Sequence, residues 1–204
     1  MYYTNKWKSL TTRGHQSPYL IHGAVMKSLK LFSVSDRYIS YLRNDCNIIG
    51  VYSNKEDNCK HTRKYLGVVI EISSFKYYIP LSSPKNTDYI EVNGCKQIRK
   101  SIIPIIRLTE INSSNLKVLL GTLRISHMIP VPDSELILYD LINEKDVKYK
   151  ALVESEIRFI RKHRKQIINN ATVLYNQKMH NKEIGYVKSA LDYKALEQAC
   201  RNYK

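Results

Sequence analysis

The sequence predicts an α+β fold, with strands in its first two thirds and helices in its last third. Two runs rich in β-branched and apolar residues, 66–72 and 75–81, are separated by two serines, which is typical of a β-hairpin. A second pair of strand-like runs, 101–109 and 117–125, flanks an Asn-Ser-Ser-Asn turn. From about 147 to 179 apolar residues recur at helical spacing, which indicates a long helix in the C-terminal half.

The chain is strongly basic, and this charge indicates its partner. Its 204 residues include 33 Lys and Arg against 18 Asp and Glu, a formal net charge of +15. Such an excess predicts a polyanionic partner, with nucleic acid favoured over a membrane surface. Sixteen tyrosines add surfaces on which unpaired bases can stack, although strands and cores also use tyrosine. No run of about 18 apolar residues is present, so no membrane span is predicted.

The cysteines and acidic residues predict neither a metal site nor a cofactor. Four dispersed cysteines form no Cys-x-x-Cys pair and accompany no His cluster, so a structural zinc is not expected. Their spacing favours free thiols in a reducing cytoplasm. The sequence has neither a Gly-rich phosphate loop nor the Asp/Glu pair that two-metal nucleases need.

A single domain is expected over 26–204. Residues 1–25 show no sustained periodicity, so we interpret them as a disordered or loosely docked arm, or as a mis-called start. Ser35 is predicted to cap a short helix after a strand at 30–33. The segment 86–100 is expected to be a polar connection. Residues 133–141 are expected to form a turn or short helix.

The candidate site lies where the first hairpin ends. Ser82, Ser83 and Lys85 follow its second strand, and Arg63 and Lys64 precede its first strand. Since the two strands are antiparallel, these ends meet, and three cations with two hydroxyls are predicted to face one phosphodiester. The alternative interpretation is an ordinary polar loop, because serine, proline and lysine are common in solvated turns.

A basic face is predicted on the long helix, where acidic partners become scarce after Glu156. We interpret this face as a stripe that binds a nucleic-acid backbone, although a charge run on a helix is also typical of a solvated face. Its cations are Arg158, Arg161, Lys162, Arg164 and Lys165.

The residue types at the hairpin end suit cleavage of RNA. RNA carries its own nucleophile, the 2′-hydroxyl, so an enzyme must take one proton, stabilise the phosphorane and protonate the departing 5′-oxygen. Lysine, arginine, serine and tyrosine can share these roles, whereas a lone histidine such as His61 beside a strand is more often a bystander. A non-catalytic RNA-binding module is the second hypothesis. A DNA-binding repressor is weaker, because no helix-turn-helix signature is present.

Several ordered blocks give the chain a specific resemblance. From Phe32 onward it resembles the endoribonuclease toxins of type III toxin–antitoxin systems, the ToxN/AbiQ/CptN group. The resemblance extends to the Phe159-Ile160 helix and the Leu196-Glu197 segment. The matching blocks are SVSDRYISYLR at 33–43, YLGVV at 65–69, YIPLSSPK at 78–85, GTL at 121–123 and MIPVP at 128–132.

The resemblance implies a compact, highly twisted antiparallel sheet flanked by helices, with a core distantly like that of the Kid/MazF toxins. It implies metal-independent cleavage that leaves a 2′,3′-cyclic phosphate and a 5′-hydroxyl. The partner would be an RNA antitoxin, a repeat-derived pseudoknot that the toxin processes and that then inhibits it, in ring-shaped assemblies. The implied role is phage defence by abortive infection.

Position by position, the resemblance implies five catalytic residues. Tyr38 matches the family's tyrosine in the first helix, and Ser82, Ser83 and Lys85 match its hydroxyl-hydroxyl-x-lysine loop. Arg63 falls where some members have lysine. Because an arginine hardly gives up its proton at neutral pH, its role is expected to be electrostatic, and proton transfer is expected to involve Lys85.

Overall fold

A computed structural model describes residues 29–55, 60–180 and 185–204. The arm expected at 1–25 and the thiol of Cys59 lie outside the described residues, whereas Cys46, Cys95 and Cys200 are free thiols. Among the helices that are described, none has the length and apolar character needed to cross a bilayer. The described part of the chain combines an antiparallel sheet with helices, which confirms the predicted α+β class.

The main sheet has seven strands, and β3 lies near its middle. The strand order is β6-β7-β3-β2-β1-β9, with β8 paired to β3 beside β7. Every pairing in it is antiparallel. The strands are β1 Lys30–Val34, β2 Tyr65–Ile72, β3 Phe75–Ser82, β6 Ile105–Ile111, β7 Lys117–Arg124, β8 Ile129–Pro130 and β9 Leu136–Leu138.

The β2–β3 hairpin forms as predicted. Its turn residues Ser73 and Ser74 have φ angles of 47° and 72°, the left-handed geometry of the two-residue turns that match strand twist. Tyr65 is paired with Pro80 in the register, so Arg63, two residues before Tyr65, comes opposite Ser82 at the end of β3. The local turn therefore determines which residues meet at the candidate site.

Two connecting segments contain strands that the sequence analysis did not predict. The expected connection 86–100 holds a separate hairpin of β4 (Tyr89–Val92) and β5 (Cys95–Ile98), whose Asn93-Gly94 turn was recognised. The segment 133–141 begins with a short 3-10 helix at Asp133–Glu135, as expected, but it then holds β9, which pairs with β1 at the sheet edge. Both were missed because these strands have only three or four residues, too few to show the period-two alternation that indicates a strand.

Five α-helices lie in the described ranges, and Ser35 begins the first of them. Its hydroxyl accepts a hydrogen bond from Tyr38 N at 3.1 Å, as its predicted capping role requires. The helices are α1 Asp36–Ser40, α2 Val147–Lys162, α3 Arg164–Met179, α4 Gly185–Lys188 and α5 Tyr193–Asn202.

The long helix expected over 147–179 is two helices, so that prediction was wrong in its continuity. His163 interrupts it with φ −105° and ψ 16°, and its ring Nδ1 lies 2.9 Å from Phe159 O. The interruption has a tertiary reason: α2 packs on β6 and β7, whereas α3 packs on β2. One straight helix cannot follow both parts of the sheet.

Candidate active site

Arg63 is held at the end of β3 by hydrogen bonds from its guanidinium. Its Nη1 donates to Leu81 O at 2.9 Å and to Ser82 Oγ at 2.8 Å, and its Nε donates to Ser53 O at 3.1 Å. The residue is only 8% exposed, and its guanidinium lies 4.6 Å from the centre of the Tyr52 ring. These contacts fix the positive charge beside the Ser82 hydroxyl.

The loop after β3 presents the other predicted residues. Ser82 is buried, whereas Ser83 and Lys85 are exposed. The backbone N–H of Lys85 donates to Asp88 Oδ2 at 3.0 Å, and Asp88 N donates to Lys85 O at 2.9 Å. The loop is therefore anchored by its backbone, which leaves the Lys85 side chain on the surface.

Asp88 is itself held by two arginines that the sequence analysis missed. The buried Asp88 carboxylate lies 3.1 Å from Arg107 Nη2 and 3.3 Å from Arg124 Nη2. Burial lowers the pKa of Arg107, and the Asp88 charge opposes that effect. Arg107 interrupts an apolar strand, and a charged residue in such a run is a sign of a buried ion pair. We infer that this cluster positions the Ser82–Lys85 loop.

His127 is a second residue that the sequence analysis did not select. Its ring stacks on Tyr52 with centroids 4.3 Å apart, on the same ring that contacts Arg63. Burial lowers the pKa of His127 to about 4, and the charges of Arg124, Arg63 and Lys85 act in the same direction. The imidazole is therefore neutral at neutral pH, and the positive charges of Arg63 and Lys85 both act on it.

Tyr38 is not brought into this group by any contact among the described residues. It is 0% exposed, and its hydroxyl donates to Pro130 O at 2.8 Å. Burial raises the pKa of this phenol well above its usual range. Pro130 pairs with Tyr77, and Ser82 lies five residues further along β3, or about 17 Å at roughly 3.4 Å per residue.

A cavity of about 210 Å³ opens beside Arg63 and the two serines. Lys64 also lines it, with its ammonium 4.6 Å from the centre of the Tyr139 ring and 3.2 Å from Ser33 Oγ. Burial lowers the pKa of Lys64. His61 lines the cavity as well, with its ring stacked on Tyr149 at 3.7 Å. Cations, hydroxyls and stacked rings together suit a phosphate and an adjoining base.

The predicted basic stripe lies across the junction of α2 and α3. Its members on α2 are Arg158, Arg161 and Lys162, all exposed, and those on α3 are the half-buried Arg164 and the exposed Lys165. Arg158 donates to Ser155 Oγ at 2.7 Å and lies 3.9 Å from Glu110. The interruption at His163 therefore divides the stripe between two helices.

Comparison with known proteins gives matches over nearly the whole described chain. A family model described as toxin ToxN of type III toxin–antitoxin systems matches residues 30–201. The chain is 32% identical over 177 residues to the endoribonuclease AbiQ of Lactococcus lactis subsp. lactis, covering 86% of this chain and 90% of AbiQ.

Solved structures agree with this match. The structure of AbiQ, described as a lactococcal anti-phage endoribonuclease of a type III toxin–antitoxin system, superposes with a TM-score of 0.69 at 30% identity, covering 86% of this chain and 97% of AbiQ. A second structure, from work describing a processed non-coding RNA that regulates a bacterial antiviral system, has a TM-score of 0.69 at 26% identity, covering 85% and 98%.

The matched proteins share one class, the components of bacterial toxin–antitoxin and antiviral systems. Within this class, the chain belongs to the ToxN toxin family of type III toxin–antitoxin systems. The family predicted from the sequence blocks is confirmed.

Proposed function

We propose that this protein is the endoribonuclease toxin of a type III toxin–antitoxin system, acting in phage defence by abortive infection. Its relatives are named endoribonucleases. The observation that carries the proposal is the hydrogen bond of 2.8 Å from Arg63 to Ser82 Oγ at the rim of a basic cavity. This bond supports the proposal, because it fixes a cation next to a hydroxyl at the edge of the cavity.

The proposed reaction is transesterification within RNA, without a metal ion. The 2′-oxygen loses its proton and bonds to phosphorus, the bond from phosphorus to the 5′-oxygen breaks, and the 5′-oxygen takes a proton. The products are a 2′,3′-cyclic phosphate and a 5′-hydroxyl. Arg63 and Ser83 are assigned to the phosphorane oxygens, where donors stabilise developing charge.

Proton transfer is assigned to Lys85, because arginine side chains are in general poor proton donors and acceptors in catalysis. The Ser82 hydroxyl accepts from Arg63, so its own proton is available to a phosphate oxygen. Tyr38, which the resemblance places among the catalytic residues, is proposed to support β8 from within the core, and a variant described below tests this.

The proposed inhibitor is an RNA antitoxin, a repeat-derived pseudoknot that the toxin processes and that lies along the basic stripe. Related solved structures concern a processed non-coding RNA and inhibition by an RNA pseudoknot. A ring-shaped toxin–RNA assembly, a strongly twisted Kid/MazF-like core and a cytoplasmic location complete the proposal.

The test is cleavage of RNA by the purified protein in the presence of a chelator, with both new ends identified. We expect cyclic phosphate and 5′-hydroxyl ends. Lys85→Ala is expected to lower the cleavage rate by about a hundredfold or more, with only a modest loss of binding. Lys117→Ala, at the exposed start of β7, serves as the control.

Absence of cleavage by the wild-type protein, with RNA binding retained, would leave the alternative of a non-catalytic RNA-binding module. Unchanged cleavage by Lys85→Ala would instead overturn the assignment of Lys85 to the active site.

A further inference from the structure

A buried carboxyl group lines the cavity beside the candidate site. Glu156 on α2 is 7% exposed, yet within the described ranges its side chain has neither a hydrogen bond nor an ion pair. Gly121 provides its space, since a Cβ there would lie 2.6 Å from Glu156 Oε1 and 3.1 Å from Ser82 O. A side chain at 121 would therefore displace the carboxyl group.

An unpaired buried carboxyl group is costly to the free protein. A polar group withdrawn from water without a partner lowers the stability of the protein. Among the described residues no side chain offsets this cost at Glu156, and a ligand in the cavity that Glu156 lines can do so by hydrogen-bonding to it. Glu156 has no role in the proposed cleavage chemistry.

The walls of the cavity suit a flat, partly apolar ligand. Leu81, Leu120 and Leu152 line it, together with the stacked rings of His61 and Tyr149. Its volume of about 210 Å³ is below the roughly 300–1,000 Å³ of sites for drug-sized ligands. A single nucleobase is a ligand of this smaller class.

The cavity is continuous with the proposed phosphate site, because Arg63, Ser82 and Ser83 line it too. A nucleotide whose phosphate contacts these residues can place its own base, or the neighbouring base, against the leucines. Bases of unpaired RNA are read in this way, by stacking and by hydrogen bonds to their edges.

We propose that this cavity binds one nucleobase adjoining the scissile phosphate, and that Glu156 accepts a hydrogen bond from the exocyclic amino group of that base. Adenine, cytosine and guanine carry such a group and uracil does not. The proposal rests on the proposed function, since it names a base-reading residue for that RNA cleavage.

Glu156 can accept a hydrogen bond from an amino group whether its own carboxyl group is protonated or ionised, because an oxygen with free lone pairs is present in both forms. Burial raises the pKa of Glu156 to about 7, so both forms are populated near neutral pH. The other titratable or charged groups that line the cavity are Lys60, His61, Arg63, Lys64 and Tyr149.

The first test changes the RNA and leaves the protein intact, so folding is not in question. Single-turnover cleavage is measured on oligonucleotides in which each nucleotide flanking the cut is in turn made abasic or varied among the four bases. We expect one position at which loss of the base, or its replacement by uracil, slows cleavage about tenfold, the effect of one lost hydrogen bond of about 1.4 kcal/mol.

The second test removes the acceptor. Glu156→Met is expected to abolish the difference between amino-bearing bases and uracil at that position, whereas Glu156→Gln, which keeps a carbonyl acceptor, is expected to retain most of it. Glu154→Met, on the exposed face of α2, is the matched control. A residue that only supports the fold would change all substrates equally.

The outcomes separate the two proposals. If the wild-type protein cleaves RNA but no flanking position shows this preference, or if Glu156→Met retains it, the base-binding inference is overturned and the proposed function stands. If the wild-type protein cleaves no RNA, both proposals fail. Separate rates for adenine, cytosine and guanine identify which amino-bearing base is read.

Discussion

Arg63 Nη1 lies 2.8 Å from Ser82 Oγ and 2.9 Å from Leu81 O. One nitrogen therefore joins Arg63, two residues before β2, to the last two residues of β3. The same guanidinium also bonds to Ser53 O through Nε, so it stabilises the structure while its charge faces the cavity. A substitution here is expected to affect both stability and activity.

Arg63→Lys is expected to lower the free energy of unfolding by about 1–3 kcal/mol, because buried carbonyl oxygens lose their donors. Cleavage is expected to fall more than tenfold, since a lysine cannot reproduce the planar fork of donors. Urea unfolding and single-turnover cleavage measure the two effects. Arg99→Lys, which alters an exposed arginine bonded to Tyr89 O, is the control. Wild-type stability in Arg63→Lys would contradict the structural role.

Tyr38→Phe is expected to destabilise the fold by about 0.5–1.5 kcal/mol, since the buried hydrogen bond to Pro130 O is removed. The single-turnover cleavage rate is expected to stay within about twofold of wild type, because the hydroxyl is buried and already hydrogen-bonded to that carbonyl. Tyr186→Phe, which removes a partly buried hydroxyl bonded to Gln177, is the comparison. A large loss of rate in a folded Tyr38→Phe protein would instead support a catalytic tyrosine.

Replacing Arg161, Lys162 and Lys165 together by Gln is expected to weaken RNA binding without lowering the rate at which bound RNA is cleaved. For every phosphate that the variant no longer neutralises, the slope of log affinity against log salt should become shallower by about 0.7–0.9. Binding titrations from low to high salt measure this slope. A triple Gln variant of exposed lysines elsewhere, at Lys30, Lys117 and Lys194, controls for net charge. Equal effects of both triple variants would show that the stripe is only a solvated face.

Glu156→Gln is expected to stabilise the protein at alkaline pH and to have little effect below about pH 5. Burial raises the pKa of Glu156 from 4.5 to about 7, so the folded state binds this proton more tightly than the unfolded state, and wild-type stability falls as pH rises through that interval. The loss is at most about 3.5 kcal/mol, at roughly 1.4 kcal/mol per pH unit.

Urea unfolding of wild type and Glu156→Gln at pH 5 and pH 8 measures this difference. Glu154→Gln, which alters an exposed carboxyl group on the same helix, is the matched control. If the effect of Glu156→Gln on the free energy of unfolding were independent of pH, burial would not shift the pKa of Glu156.

Elements with local signals were predictable from the sequence. The Ser35 cap and the β2–β3 hairpin depend on residues close together in the chain, and both are confirmed. By contrast, β9 pairs with β1 about a hundred residues away, and the interruption at His163 reflects packing on different strands. These features carry no local pattern, so sequence reasoning missed them.

The same division applies to the site. The hairpin register brings Arg63 to Ser82, so a short stretch of sequence was enough to predict that pair. The depth of Tyr38 in the core, and its distance from that pair, could not be predicted, because Tyr38 and Ser82 belong to separate sequence blocks. Its catalytic assignment stays a prediction.

The sequence by itself determined the α+β class, the basic character, the family and the meeting of Arg63 with Ser82, because composition, local periodicity and a tight turn act over short ranges. Only the tertiary structure decided that Asp88 is clamped by Arg107 and Arg124 beneath the loop, and that Glu156 lies against Gly121. These interactions join strands and helices far apart in the chain. Their burial and charge depend on how the elements pack, which no single stretch of sequence encodes.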